Sequence, residues 1–382
     1  MTYKEFRIRS ELKIAIVHDA LVVPAGSERV ALNISNLFPD ATIFTSAYLP
    51  ENTFPEFKTR DIHTLPFSKL IKNERQFKKL YPLWLAELQF LNLSRFDLVI
   101  SSANYLSKFV HVPEHTIHVC YLYNPIRFLW KHKVYSRESL PFGSISLPLI
   151  KSFLPVLQKY DVKWTKKIDH LVTTSNNMAG QIERIYGRKA EVIYPPVDIG
   201  SYSVSSKSGD YYLYAGRLIS HKRADIAIKA CKKLNRRLII AGEGLEREKL
   251  QELAGKEVVF TGRVTDQELN ELYANCKALL FPSDEDFGLV PVEAQACGRP
   301  VIAYRSGGAL ETVIEGETGI FFDAQTAESL VEAIQRFESL SFDSVRIREN
   351  AMNFDTSVFR EKFRLFIDTV ISQEGAKIEK QS

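Results

Sequence analysis

At 382 residues, 45% hydrophobic and 25% charged, the chain has the composition of a globular protein with core for two domains, which excludes disordered and fibrous classes. Its four cysteines, Cys120, Cys231, Cys276 and Cys297, show no C-x-x-C spacing, so neither a zinc site nor a disulfide framework is expected, and a reducing compartment is. The net charge of +4 divides unevenly: residues 1–200 hold 26 Lys/Arg against 18 Asp/Glu (+8) and residues 201–382 hold 24 against 28 (−4), so the first half suits something anionic, without the strong basic excess of a nucleic-acid binder.

The start, "MTYKEFRIRSELKIAIV", has an apolar run too short for a signal-peptide core, and no run of about 18 apolar residues follows anywhere, so no membrane span is expected. Short β-branched runs at 12–17, 41–45, 96–101, 116–121, 170–175 and 190–195 are apolar on both faces, as parallel strands covered by helices must be. After the first of them, "HDALVVPAGSERV" offers His18 and Asp19, then Gly26 ahead of a helix with Ser27 as N-cap and Glu28 as a first-turn acid. Gly26 would let a phosphate or an acceptor approach the backbone. Between Phe67 and Phe90, Lys69, Lys72, Arg75, Lys78 and Lys79 alternate with Leu, Tyr, Phe and Trp. Such a helix can lie on an anionic membrane surface; it equally reads as a surface helix with a solvated basic face.

Pro, Gly and Ser concentrate in Pro195–Asp210, a linker composition. The division is therefore residues 1–200, residues 201–353, and a C-terminal helix with a polar, fraying tail over 354–382. The strand pattern restarts at 211–216, 237–242, 257–262, 278–282, 300–304 and 319–322, with helical stretches at 265–276 and 326–338. Alternating strands and helices throughout predict an α/β protein of two doubly wound Rossmann-like domains facing across a cleft.

Three strands of the second domain end in glycine: Gly216, Gly242 and Gly262, where ligands gather in open parallel sheets. Arg217 follows Gly216, and Lys222 starts the next helix; together they can neutralise a diphosphate, or merely line a solvated turn. The Gly242-Glu243-Gly244 element suits a phosphate loop or a simple strand-to-helix turn. In "FPSDEDFGLVPVEAQACGRP" a helix opens near Pro291 and stops at Gly298. The amides around Phe287, Gly288, Leu289 and Val290 would then form an anion site. Glu285 in the loop could accept from a sugar hydroxyl, and Glu293, placed in the first helical turn, from a ribose diol. The alternative is a solvated loop acid and an acid that complements the helix dipole.

The succession "GRLISHK", "GEG", "FTGRV", "FPSDEDFGLVPVEAQACGRPVIAYRSGGALE" resembles the retaining GT-B glycosyltransferases of family 4, also called glycosyl transferases group 1. The two acids match that family's E-x7-E motif, and "CYLYNPIRFLW" with "IYPPVD" looks like the mannosyltransferase branch that builds O-antigens and exopolysaccharides. The resemblance covers most of the chain, nearly continuously from Tyr211 to about Phe322. It implies a GT-B fold and transfer of a hexose, mannose from GDP-mannose foremost, to a saccharide or lipid-linked acceptor. The nucleotide sugar is then a substrate, and no cofactor or metal is implied for the chemistry. The chain would work in the cytoplasm, at the inner face of the membrane if it touches lipid.

By the same resemblance, Arg217 and Lys222 hold the diphosphate, Glu293 the ribose, and Glu285 with the amides of Phe287 to Val290 the transferred sugar. Arg263 and Val264 frame the base, and Gly26 stands in the N-terminal glycine loop, whose usual glycine pair reads Ala25-Gly26 here. One position departs: the branch's Cys-Tyr-x-His-Thr-Pro-x-Arg carries a histidine beside the donor sugar, and this chain has Tyr123, followed by Asn124, Pro125 and Arg127. Tyrosine can donate a hydrogen bond but is no cation at neutral pH; His18, His111 and His118 are the candidate substitutes. Two rival readings stand beside transfer: a nucleotide-sugar epimerase of the same architecture, and an inactive nucleotide-binding partner subunit.

Overall fold

The computed structural model describes residues 12–71, 81–130, 147–205 and 209–381. It divides into two units, one made of residues 1–195 with 359–382, the other of 196–358. Each holds one fully parallel sheet.

In the first unit the strands are β1 (Ile14–His18), β2 (Thr42–Thr45), β3 (Ile62–Thr64), β4 (Leu98–Ala103), β5 (Ile117–Leu122), β6 (His170–Thr173) and β7 (Glu191–Val192), in the order β3-β2-β1-β4-β5-β6-β7. The two-sided apolar pattern has a direct cause: β1 sends Ile16 into the layer holding Val30 and Ile34, and Ala15 and Val17 into the layer holding Trp84 and Phe96. Strand β3, half-exposed and only three residues long, is an addition to the strands read from the sequence.

The C-terminal helix, Thr356–Gln381, buries Phe359, Phe363, Ile367 and Val370 in the layer with Ile16 and Tyr121. Arg360 reaches the Asn33 side chain at 2.9 Å and Arg364 the Leu37 carbonyl at 2.8 Å. The polar tail expected to fray continues this helix to Gln381. Ser27 is not an N-cap: the helix Gly26–Leu37 begins two residues earlier than that cap would set it, with Ala25 at the cap and no side chain closing it, while Ser27 bonds Glu28 instead.

In the second unit β8 (Tyr211–Ala215), β9 (Arg237–Ala241), β10 (Val258–Gly262), β11 (Ala278–Phe281), β12 (Val301–Tyr304) and β13 (Gly319–Phe322) run in the order β10-β9-β8-β11-β12-β13. All twelve strand segments read from the sequence are present across the two sheets, and the architecture is the GT-B class of paired Rossmann-like sheets.

Glu338 locks this unit's far side. It accepts from Arg236 at 2.8 and 2.7 Å, from Lys277 at 3.0 Å and from the Tyr212 hydroxyl at 3.0 Å. The Arg236 fork foremost, then Lys277 and Tyr212, holds its carboxyl down at about 2. A carboxylate held below its unfolded pKa adds stability above about pH 4.5 and loses it as pH falls toward 2. Glu338→Gln should therefore cost about 1–2 kcal/mol at pH 7, a partly solvated pair being worth less than its full shift. In urea unfolding the gap to wild type should close between about pH 4.5 and pH 2.

Candidate active site

The second sheet reverses its strand order between β8 and β11, and at such a switch point the two following loops part to leave a crevice beyond the carboxyl ends of the strands. The loop after β8 carries Arg217 and Lys222; the loop after β11 carries Glu285. The structure joins them: Lys222 Nζ lies 2.5 Å from Glu285 Oε1, with side chains 17% and 20% exposed. Ser283 Oγ donates to the same oxygen at 2.9 Å. A cation and an acid separated by 63 positions in sequence are one unit here.

The turn's shape comes from its neighbours. A Cβ on Gly242 would collide with the Gly216 carbonyl, and one on Gly244 with the Leu218 backbone. The Gly-Glu-Gly element thus packs against the 216–218 turn, where Leu218 N–H donates to the Glu243 carbonyl at 2.9 Å; it has a packing reason of its own for being glycine. Lys222 does not open a helix as expected but ends a short 3-10 turn, Ser220–Lys222. Arg223 then takes a left-handed conformation, φ 55°, uncommon for a non-glycine residue. Its fork onto Asp225 at 2.9 and 3.2 Å and a 3.4 Å contact with Gln325 hold it there. Gln325 in turn donates to the Pro282 carbonyl at 2.8 Å, tying the two loops together. Arg217 is exposed.

From the other side the acid loop rests on Gly307 and Gly308. Gly308 N–H donates to the Glu285 carbonyl at 2.8 Å, and Ser306 Oγ to Asp284 at 2.9 Å. A Cβ on either glycine would strike the backbone of Glu285 or Phe287. The helix Leu289–Ala296 starts from Gly288 at φ 82° with no side chain capping it, so the first-turn amides at Leu289 and Val290 have no intrahelical partner. Phe287 is buried against Phe354, ring centroids 5.7 Å apart.

Glu293 stands at the fifth helical position rather than in the first turn, because the helix begins at Leu289 and Pro291 occupies its third place. The buried Tyr273 hydroxyl donates to Glu293 Oε2 at 2.9 Å. Burial first, then the Glu293 charge, pushes the Tyr273 phenol well above its usual range, so it stays a donor at any working pH. Arg263 and Val264 follow β10 at the edge of the sheet, Arg263 exposed and Val264 half-buried. All strand ends named here share one edge, since every pairing is parallel.

In the first unit Tyr123 is buried. Its hydroxyl donates to the Ser27 carbonyl at 2.9 Å and meets Ser102 Oγ at 2.9 Å, which in turn meets His18 Nδ1 at 3.0 Å. The tyrosine proton is committed to Ser27, next to Gly26, rather than offered to a ligand. Burial pushes the phenol well up. It pushes His18 down as well, and His118 down to about 3, against Ser101 at 2.8 Å. Neither histidine replaces a cation at neutral pH; His111 is exposed.

Asp19, noticed in the sequence only as a neighbour of His18, is the centre of this loop cluster. Its carboxylate accepts four amides, Asn104 and Tyr105 on one oxygen, Leu106 and Ser107 on the other, each at 2.7 Å. Of the basic segment 67–90, Lys72, Arg75, Lys78 and Lys79 lie outside the described residues. Among the described residues no helix is long and apolar enough to cross a membrane, and no cluster of three His, Cys, Asp or Glu could hold a metal ion.

An uncharacterized glycosyltransferase of Methanocaldococcus jannaschii is 30% identical over 207 residues, 52% of this chain and 58% of its own length. The GDP-mannose-dependent alpha-(1-6)-phosphatidylinositol monomannoside mannosyltransferase of Mycolicibacterium smegmatis is 36% identical over 136 residues, 31% of this chain and 36% of its own. The chain thus spans about half or less of these curated relatives. Anabaena HepE in complex with UDP superposes with a TM-score of 0.70 at 18% identity, covering 94% of this chain and 100% of its own, a likeness of fold. Residues 203–354, which hold Arg217, Lys222, Glu285 and Glu293, match the family described as Glycosyl transferases group 1.

Proposed function

We propose that the chain is a nucleotide-sugar-dependent, retaining glycosyltransferase. It moves a hexose, mannose from GDP-mannose first among the donors, to a saccharide on a lipid carrier in bacterial surface-polysaccharide synthesis. The observation that carries the reading is the Lys222–Glu285 pair at the sheet's switch point, on the loop that also carries Arg217, within the family-matched segment. As the bond between sugar and diphosphate breaks, negative charge grows on the departing nucleotide. Arg217 and the remaining N–H groups of Lys222 meet that charge, and stabilisation that strengthens in the transition state is what raises turnover. Glu285 takes a hydroxyl of the transferred sugar, Glu293 the ribose diol, the first-turn amides a phosphate, and Arg263 with Val264 the base. Residues 1–200 serve the acceptor and 201–353 the donor. Tyr123 is a positioning residue that fixes the Gly26 loop through Ser27.

GDP-mannose leads because the Mycolicibacterium relative is named for it, while UDP is the nucleotide in the Anabaena complex. A thermal-shift series with GDP-, UDP- and ADP-sugars separates them, since a ligand at about 100 times its Kd adds about 2.7 kcal/mol of stability. One nucleotide class should raise Tm by several degrees; no shift with any of the three at millimolar concentration would overturn the reading. The committed hydroxyl of Tyr123 favours one rival, a nucleotide-binding subunit without turnover, which would show the shift but release no nucleotide from the sugar.

A further inference from the structure

We infer that the helix Leu147–Thr165 of the first unit is a docking surface for an anionic lipid bilayer. Phe153, Val156, Leu157 and Tyr160 stand 56%, 62%, 40% and 38% exposed. Their spacing of three, four and seven sets them on one face, flanked by the buried face that holds Asp161 and Thr165. Beside the stripe, Lys159, Lys163, Lys166 and Lys167 are exposed.

The helix has one acid, Asp161, fully buried against Lys108 at 2.5 Å. The next acid along, Asp169, accepts the His118 amide at 2.8 Å. Among the described residues none of these lysines forms an ion pair with either acid. Tyr160 packs on Phe109, centroids 5.7 Å apart, and Gln89 bonds the Phe109 carbonyl. Phe90, the last residue of the helix Tyr81–Phe90 that carries Gln89, is 88% exposed.

Charge and shape choose the occupant. An aromatic and aliphatic stripe can enter the boundary between headgroups and acyl chains while long lysine stems keep their ammonium groups at headgroup level. A second copy of this helix would offer the lysines only more lysines and an apolar stripe, without acids to answer them. The inference is independent of the transfer reading.

The test is co-sedimentation of the full chain with vesicles of phosphatidylcholine alone or with about one third phosphatidylglycerol. Binding should require the anionic lipid and fade in high salt. Each of Lys159→Ala, Lys163→Ala and Lys166→Ala should weaken it about fivefold. Phe153→Ser with Val156→Ser, both outside the core, should remove most of it at low salt with an unchanged Tm. Wild type left in the supernatant at low salt, or a double serine variant that binds as wild type does, overturns the inference. So does a dimer that these serines dissolve in gel filtration without vesicle binding, which would make the face an interface between copies.

Discussion

Lys222→Ala is expected to lower turnover of the nucleotide sugar about 100- to 1000-fold, the loss typical of removing one preorganised group that meets developing charge. The geometry makes the change doubly harmful. It removes a cation from the switch point, and it leaves the Glu285 carboxylate, now paired at 2.5 Å, to repel an arriving diphosphate. Since the two side chains touch, their substitutions should not add: Lys222→Ala with Glu285→Gln should lose less than the two single losses multiplied together. A neutral amide in place of the Glu285 carboxylate no longer repels. Steady-state kinetics on the four proteins reads this directly. A single variant within threefold of wild type would remove Lys222 from the mechanism, and strict multiplicativity would mean the ion pair has no part in the working state.

Asp19→Ala is expected to destabilise the first unit by about 4 kcal/mol, a large share of the stability of an ordinary domain. Four amides now satisfied at 2.7 Å would be left without their acceptor, each costing part of its desolvation. Asp19→Asn should do little better, because its amide nitrogen would face two N–H donors. All three tryptophans, Trp84, Trp130 and Trp164, lie in this unit, so their fluorescence in urea reports its unfolding. Hydrogen exchange at residues 104–107 should quicken in parallel. Stability within about 1 kcal/mol of wild type would mean that water replaces the carboxylate at no great cost.

The sheets were legible because burial on both faces leaves a dense apolar signature, as in "YYLYAG" and "RLIIAG". Strand β3 was not, since its three residues, Ile-His-Thr, sit half-exposed at an edge where no such constraint operates. At the site, Arg217, Lys222 and Glu285 were legible as candidates by their place after strands. Their pairing was not, because it depends on strand order, which brings the loops after β8 and β11 together across 63 residues. The same holds for Asp19, whose partners are backbone amides some 85 to 88 positions away and carry no side-chain signature. Gly307 and Gly308 did leave a trace, the dipeptide after a strand, but its reason, the backbone of Glu285 and Phe287 pressed against them, needed the fold. Glu293 was misplaced by counting from Pro291, when the free conformation of Gly288 lets the helix open two residues sooner.

The first unit is discontinuous: its core layer around Ile16 and Tyr121 takes Phe359, Phe363, Ile367 and Val370 from the far end of the chain. During synthesis that layer stays open while the whole of residues 196–358 is made, which at 5–20 residues per second is on the order of ten seconds or more. The later unit, contiguous in sequence, can finish folding before the earlier one closes. For this interval the nascent chain exposes the apolar seat of its last helix, and the order of completion runs opposite to the order of translation.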